Sequence, residues 1–122
     1  SDIITLHLPL SDASRHLISR DRLAMMKKSV ILVNAARGAV VDEAAVADAV
    51  LDRSIGAFGC DVYSREPMAI DHPYARLLDC ENVLLTPHMA WGAYEARVRC
   101  LQEVALNIQS FLRGERRSRV ES

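Results

Sequence analysis

Short apolar runs alternate with helix-like segments along most of this 122-residue sequence. The runs cover residues 3–6, 30–33, 57–60 and 83–85. Residues 3–6 are apolar and rich in β-branched residues, which is typical of a strand buried on both faces of a parallel sheet. Strands that alternate with helices at this spacing are joined by right-handed crossovers. The pattern therefore predicts an α/β fold built on a four-stranded parallel sheet.

Ser19 marks the start of the first predicted helix, over residues 20–27. A serine hydroxyl is a good N-cap because it accepts a hydrogen bond from a backbone N–H that the first turn leaves unpaired. In such a helix, we expect Leu23, Met25 and Met26 to face the core.

Two further helices follow along the chain. Asp42 is placed to cap a helix over residues 43–53, whose Ala, Val and Leu residues recur at helical spacing. Residues 63–79 contain prolines and predict an irregular stretch, long enough for an active-site loop. A long amphipathic helix is predicted over about residues 93–112, and Gly114 is placed to end it.

The composition is that of an ordinary globular protein, with 50% hydrophobic and 25% charged residues. The net charge of −1 favours neither nucleic acid nor anionic lipid as a partner. No apolar run approaches the roughly 18–20 residues that cross a bilayer, so we expect no membrane segment. Cys60, Cys80 and Cys100 lack CxxC spacing, which predicts free thiols in the cytoplasm, with no metal site and no disulfide framework.

Each predicted strand leads to polar residues that could carry chemistry. They are His7 after the first strand, Asn34 and Arg37 after the second, Asp61 and Glu66 after the third, and His88 after the fourth. In an open α/β sheet, ligands bind in the crevice beyond the carboxyl ends of the strands. A guanidinium, carboxylates and imidazoles along one sheet edge predict a polar site suited to a carbonyl acid.

Ordinary structural roles also explain most of these residues when each is taken alone. The alternatives are a cap or surface position for His88, a surface ion pair with Asp42 or Glu43 for Arg37, a loop cap for Asp61 and a structural turn for His7. Glu66 favours the catalytic interpretation of His88, because it lies just beyond the neighbouring strand. A nearby carboxylate orients an imidazole and favours its protonated form. We therefore predict a hydrogen bond between Glu66 and His88, with Arg37 facing the same crevice.

Several segments, taken in order, resemble the D-isomer-specific 2-hydroxyacid dehydrogenases over nearly the whole chain. They are HLPL at 7–10, VNAARG at 33–38, VDE at 41–43, GCDVY at 59–63, EP at 66–67 and TPH at 86–88. Each segment is weak evidence alone, but their order and spacing are specific. The resemblance implies a partial Rossmann-like, doubly wound parallel sheet with a long C-terminal helix, and a nicotinamide dinucleotide as cofactor.

The resemblance also implies roles for individual residues. Arg37 would bind the substrate carboxylate and polarise the keto oxygen, and His88 would donate a proton to that oxygen. Glu66 would keep His88 oriented and protonated, and Asp61 would contact the nicotinamide carboxamide. The other residues that would line the dinucleotide are Leu6, His7, Leu8, Pro9, Ala35, Ala36 and Ala90, together with Arg37 and His88.

The implied reaction is the reversible reduction of a 2-keto acid, such as hydroxypyruvate or glyoxylate, to the D-2-hydroxy acid. Residues 89–92, which read MAWG, resemble the glycerate dehydrogenase or hydroxypyruvate reductase branch of the family. A dinucleotide-sensing, corepressor-like binding protein on the same fold is the alternative. The choice between NAD and NADP stays open, because no residue that would read the adenosine ribose is present in this sequence.

The sequence departs from the family pattern in having no GxGxxG turn. We therefore expect the chain to be part of a longer protein. Residues 1–92 would form the C-terminal part of an NAD(P)-binding domain, and residues 93–122 a helix and tail that return toward a substrate domain. The isolated chain is then expected to be inactive. Its sheet edge and the apolar side of its last helix are expected to be buried against a second copy, most simply in a homodimer, or against the rest of the longer protein.

Overall fold

The computed structural model describes residues 1–118 and contains one four-stranded parallel sheet. The strands are β1 (Ile3–Leu6), β2 (Ile31–Asn34), β3 (Ala57–Cys60) and β4 (Val83–Leu85), and they lie side by side in that order. The register pairs Leu6 with Asn34, Asn34 with Cys60, and Cys60 with Leu85. The four carboxyl ends therefore finish together at one edge, and the predicted α/β fold is confirmed.

Within residues 1–118, three α-helices accompany the sheet. They are α1 (Arg20–Ala24), α2 (Glu43–Leu51) and α3 (Tyr94–Leu112), with short 3₁₀ turns at Gly38–Val40, Pro73–Leu77 and Ala90–Gly92. Both predicted caps are present, since Ser19 accepts from the N–H of Arg22 and Asp42 accepts from the N–H of Ala45. The turn over Pro73–Leu77 lies within the stretch predicted to be irregular.

The first helix is shorter than predicted, and one of its three expected core residues is wrong. Leu23 is buried and Met26 packs partly against the core, but Met25 is 84% exposed. The reason is local: Met25 is already the C-cap of α1, and its N–H donates to the carbonyl of Arg22. A helix that ends at Ala24 cannot turn Met25 toward the sheet.

One face of the sheet carries the core. Leu32 and Phe58 point to the same side as Leu6, and they pack with Val46 and Val50 of α2. On the opposite side, Ile3, Ile31 and Leu84 are 61%, 40% and 68% exposed, whereas Val33, Ala57 and Gly59 are half-buried. The expectation that β1 is buried on both faces is therefore wrong, because the helical residues of the core pack against one side of the sheet.

The described chain divides into two compact units, the first over Ser1–Met89 and the second beginning at Ala90. The second unit contains α3, which ends at Leu112; Gly114 follows in the left-handed conformation, with φ of 72°. The predicted boundary between residues 92 and 93 stays a prediction, and residues 119–122 of that second part lie outside the described residues. None of the described helices is long and apolar enough to cross a membrane.

Candidate active site

His88 and Glu66 form the predicted hydrogen bond. The loop after β3 carries Glu66, whose Oε2 lies 2.7 Å from His88 Nδ1, so this ring N–H donates to the carboxylate. The other oxygen, Oε1, accepts from the backbone N–H of Tyr63 at 3.0 Å. The hydrogen bond from His88 lowers the pKa of Glu66 most, and the Tyr63 N–H and the charge of Arg37 lower it further. Glu66 is therefore a carboxylate at neutral pH.

Asp61 holds the segment that carries His88. The backbone of His88 is left-handed, with φ of 53°, a conformation that is strained for residues with a side chain. Asp61 is buried directly after β3, and its Oδ1 accepts from Thr86 Oγ1 at 2.5 Å and from the N–H of Met89 at 2.8 Å. Because these two donors lie on either side of His88 in the chain, Asp61 fixes the turn that presents the imidazole. Its expected contact with nicotinamide stays a prediction.

Tyr63 is a site residue that the sequence reasoning did not single out. Its hydroxyl donates to the carbonyl of Thr86 at 2.9 Å, which ties the loop after β3 to the end of β4. Burial raises the pKa of Tyr63 to about 12, so the phenol keeps its proton and remains a donor at neutral pH. Tyr63 lies inside the matching segment GCDVY and Thr86 inside TPH. Their positions in these segments are the signal that could have identified them.

Cys60 is a poor nucleophile although it lies beside the site. Its thiol is buried and its Sγ donates to the carbonyl of Val62 at 2.9 Å. Burial raises the pKa of the thiol to about 12, so the reactive thiolate is scarce at neutral pH. The cysteine acts as a small apolar core residue here.

Asn34 shapes the turn that presents Arg37. This buried side chain at the end of β2 accepts from the N–H of Ala36 at 3.1 Å and donates to the carbonyl of Arg37 at 3.0 Å. Ala36 is buried, Ala35 is half-buried and Arg37 is exposed. The guanidinium donates to the carbonyl of Ala36 at 2.7 Å. Among the described residues, Arg37 forms no ion pair with Asp42 or Glu43, which was the alternative interpretation. The charge of Arg37 also lowers the pKa of Glu66, and its predicted position in the crevice stays a prediction.

The segment after β1 presents alternating side chains at the same sheet edge. Leu6 is buried in the core and Leu8 packs partly against it, whereas His7 and Pro9 are exposed. Ala90, also predicted to line the dinucleotide, belongs to the second compact unit. The structure thus joins Glu66 to His88, and it joins Asp61 to the residues on either side of His88 in the chain. The β1 segment ends along the same sheet edge, and the placement of Arg37 toward the crevice stays a prediction.

The described residues of the first compact unit line a smaller and a larger cavity. The smaller, of about 370 Å³, adjoins the His88–Glu66 pair, and its remaining lining residues are Tyr63, Pro67, Met68, Leu78, Leu85, Thr86 and Pro87. The larger, of about 690 Å³, lies near Gly56 and Asn82, which precede β3 and β4. That position is the amino end of the strands, away from every predicted site residue. The smaller cavity is therefore the one that belongs to the candidate site.

Gly38 allows the Arg37 turn to pack against the Glu66 loop. A Cβ at Gly38 would overlap the backbone of Tyr63 and Ser64, so only glycine fits. We expect Gly38→Ala to lower the free energy of unfolding by about 2–3 kcal/mol, because backbone must move to relieve the overlap. Urea denaturation would measure this change.

Gly59→Ala is the matched control for that substitution. A Cβ at Gly59 meets only the methyl groups of Val33, at 3.6 Å and 3.7 Å, which is ordinary van der Waals contact. We expect this variant to be as stable as the wild type within about 1 kcal/mol. Equal midpoints for the two variants would contradict the close approach at Gly38.

A parallel sheet with polar groups gathered beyond its carboxyl ends defines an α/β protein of the ligand-binding, Rossmann-like class. Residues 1–90 match the family model described as D-isomer specific 2-hydroxyacid dehydrogenase, NAD binding domain. The chain belongs to this family, and the resemblance identified from the sequence is confirmed.

Named relatives agree with this assignment. The chain is 43% identical over 115 residues to a glyoxylate reductase of Korarchaeum cryptofilum, covering 94% of the chain and 34% of the relative. It is 39% identical over its whole length to a glycerate dehydrogenase of Methylorubrum extorquens, covering 38% of that protein. The chain thus spans about a third of the length of the curated relatives it matches. These relatives give the corepressor alternative no support.

A solved structure shows the same fold. The crystal structure of D-lactate dehydrogenase with NAD⁺ from Lactobacillus jensenii superimposes with a TM-score of 0.85 at 31% sequence identity. The match covers all of this chain and 40% of that protein. The partial Rossmann-like sheet expected from the sequence is therefore confirmed.

Proposed function

We propose that this chain carries the proton-donating and carboxylate-binding part of an NAD(P)H-dependent 2-keto acid reductase. The single observation that supports it most is the 2.7 Å hydrogen bond between His88 and Glu66. An imidazole oriented by a carboxylate is a general acid, and a guanidinium fork suits a carboxylate. The names of the relatives, glyoxylate reductase and glycerate dehydrogenase, support the same substrate class.

The proposed roles account for both ends of the substrate. Arg37 binds the carboxylate of the 2-keto acid and polarises the adjacent keto oxygen. A reduced nicotinamide dinucleotide held at the strand ends would supply the hydride that the keto carbon needs. His88 gives a proton to the keto oxygen, which completes the D-2-hydroxy acid. Glu66 holds His88 through Nδ1, so Nε2 is the ring nitrogen that faces the substrate. In the oxidative direction His88 takes the proton back.

Residues at the carboxyl ends of β1 and β2 fit a bound dinucleotide. The exposed His7 and Pro9 and the half-buried Ala35 lie along neighbouring strand ends, where α/β sheets bind nucleotides. Asp61 lies at the end of β3, within the same edge as His88, and is the proposed partner of the nicotinamide carboxamide. We propose NAD or NADP as the cofactor, with no preference between them.

The test is turnover by the full-length protein. We expect loss of reduced-nicotinamide absorbance when hydroxypyruvate or glyoxylate is added with NADH or NADPH, and the D isomer of glycerate as the product of hydroxypyruvate. Hydroxyacetone is the matched control substrate, because it keeps the carbonyl and lacks the carboxylate that Arg37 would bind. Equal turnover of hydroxyacetone, or no oxidation of either cofactor with any 2-keto acid, would contradict the proposal.

We further propose that the protein is a cytoplasmic homodimer. Supporting the dimer, several apolar residues of α3 are exposed, namely Val104, Leu106, Ile108, Phe111 and Leu112, as is one face of the sheet. Supporting a reducing compartment, Cys60, Cys80 and Cys100 are all free thiols. Light scattering at micromolar concentration should give twice the chain mass, and a stable monomer would contradict the dimer.

A further inference from the structure

A second histidine–carboxylate pair lies outside the proposed chemistry. His72 Nε2 is 3.1 Å from Glu43 Oε2, and the two side chains are only 5% and 10% exposed. Glu43, the first residue of α2, also accepts from the N–H of Ser64 at 2.8 Å and from Ser64 Oγ at 2.5 Å. A single buried carboxylate thus takes three hydrogen bonds from the loop between β3 and β4. We call Glu43, Ser64 and His72 the loop latch.

The hydrogen bonds of His72 define its tautomer. Its Nδ1 accepts from the N–H of Tyr74 at 3.1 Å, so the ring proton lies on Nε2 and points to Glu43. His72 therefore caps the 3₁₀ turn at Pro73–Leu77 and donates to α2 at the same time. The rings of Tyr63 and Tyr74 pack edge-on against the imidazole, with centroids 5.6 Å and 4.9 Å away.

The loop latch holds the chain on both sides of Glu66, the residue that orients His88. Glu66 lies between Ser64 and His72 in the chain, and both of these bind Glu43. The exposed pair of Glu66 and His88 is too weak to hold an irregular loop by itself, because exposed ion pairs contribute little. The hydrogen bonds of the loop latch are stronger by comparison, because they converge on one carboxylate whose side chain is only 10% exposed.

The same contacts join the Glu66 loop to the turn of Arg37. Gly38 packs on the backbone of Tyr63 and Ser64, directly beside the residue that Glu43 binds. Because Gly38 follows Arg37 in the chain, the loop latch relates the position of the guanidinium to that of the Glu66–His88 pair.

We propose that Glu43, acting through Ser64 and His72, is a positioning residue that sets Glu66 against His88 and in register with Arg37. The effect on turnover rests on the proposed function, whereas the effect on the environment of His88 does not. Loss of Glu43 frees the loop between Ser64 and His72 while every group of the proposed site remains. A displacement of about 1 Å in a catalytic group lowers turnover by as much as 10²-fold.

Steady-state kinetics of the full-length protein test this role. We expect Glu43→Gln to lower kcat by roughly ten- to a hundredfold with an unchanged KM for the reduced dinucleotide. The glutamine amide places an N–H donor where the donors of Ser64 and His72 meet the carboxylate, so it cannot accept all of their hydrogen bonds. His72→Asn keeps an acceptor for the Tyr74 N–H and removes the donor to Glu43. Ser64→Ala removes only one hydroxyl donor. These two variants should give smaller losses of the same kind, and they test the proposal if Glu43→Gln does not fold.

Asp48→Asn is the matched control. Asp48 lies on the same helix and bonds Arg20 and Arg76, so its loss removes a doubly paired carboxylate of α2 without touching the loop latch. We expect its kcat to equal that of the wild type. A fall in kcat as large as that of Glu43→Gln would mean that damage to α2 explains both, and would overturn the proposal.

The NMR signals of the His88 imidazole separate this proposal from the proposed function. They should shift in Glu43→Gln and in His72→Asn, and stay unchanged in Asp48→Asn, whether or not the wild type turns over. If the wild type is inactive but the His88 signals shift in these two variants, the proposed reaction is wrong and the positioning role is supported. Unchanged His88 signals in folded variants of all three latch residues, or an unchanged kcat in an active enzyme, would overturn the positioning role.

Discussion

His88→Asn should lower kcat for 2-keto acid reduction by about a thousandfold and leave the KM for the keto acid nearly unchanged. A positioned general acid contributes about 10²–10⁴-fold, and the proton that His88 is proposed to donate is needed only as the keto oxygen gains charge. Asparagine is chosen because, among residues with a side chain, it tolerates the left-handed backbone of residue 88 well, so the substitution removes the imidazole with little added strain. Steady-state kinetics with hydroxypyruvate measure both constants.

His16→Asn is the control for this prediction. His16 is also a left-handed histidine, with φ of 50°, but it is exposed and lies in the loop after β1 rather than at the end of β4. Its replacement should leave kcat unchanged. If His88→Asn kept more than about a tenth of wild-type kcat, His88 would not be the general acid.

Arg37→Gln should lower kcat/KM for the keto acid by about 10²–10³-fold, mainly through a higher KM. Removing one partner of a hydrogen-bonded charge pair costs about 2–5 kcal/mol, and each 1.36 kcal/mol corresponds to a factor of ten. Arg37→Lys should restore only part of this loss, because a lysine keeps the charge without the planar fork that binds both carboxylate oxygens.

Arg20→Gln provides the matched change of charge. Arg20 is exposed on α1 and pairs with Asp48, so its loss alters the net charge equally and leaves the sheet edge intact. Its kcat/KM should match the wild type. Retention of wild-type kcat/KM by Arg37→Gln, or an equal loss with hydroxyacetone as substrate, would show that Arg37 does not bind the substrate carboxylate.

Features that depend on neighbouring residues in the chain could be predicted from the sequence alone. The strand at Ile3–Leu6, the caps at Ser19 and Asp42 and the stop at Gly114 all follow from local preferences, and the structure has each of them. The bond between Glu66 and His88 was also predictable, since parallel strands bring their carboxyl ends to one edge. The family followed from the order of short motifs along the chain.

The tertiary structure alone decided which groups support the site. In the sequence, Glu43 is an acidic residue in the first turn of a predicted helix. In the structure, its carboxylate accepts hydrogen bonds from Ser64 and His72, which lie 21 and 29 residues further along the chain. Asp61 likewise binds Thr86 and Met89 across the strand ends. The burial of only one sheet face was equally hidden, because a run of β-branched residues is compatible with one covered face or two. Local sequence sets conformation, but contacts between distant residues depend on how the elements pack, and no local pattern encodes that packing.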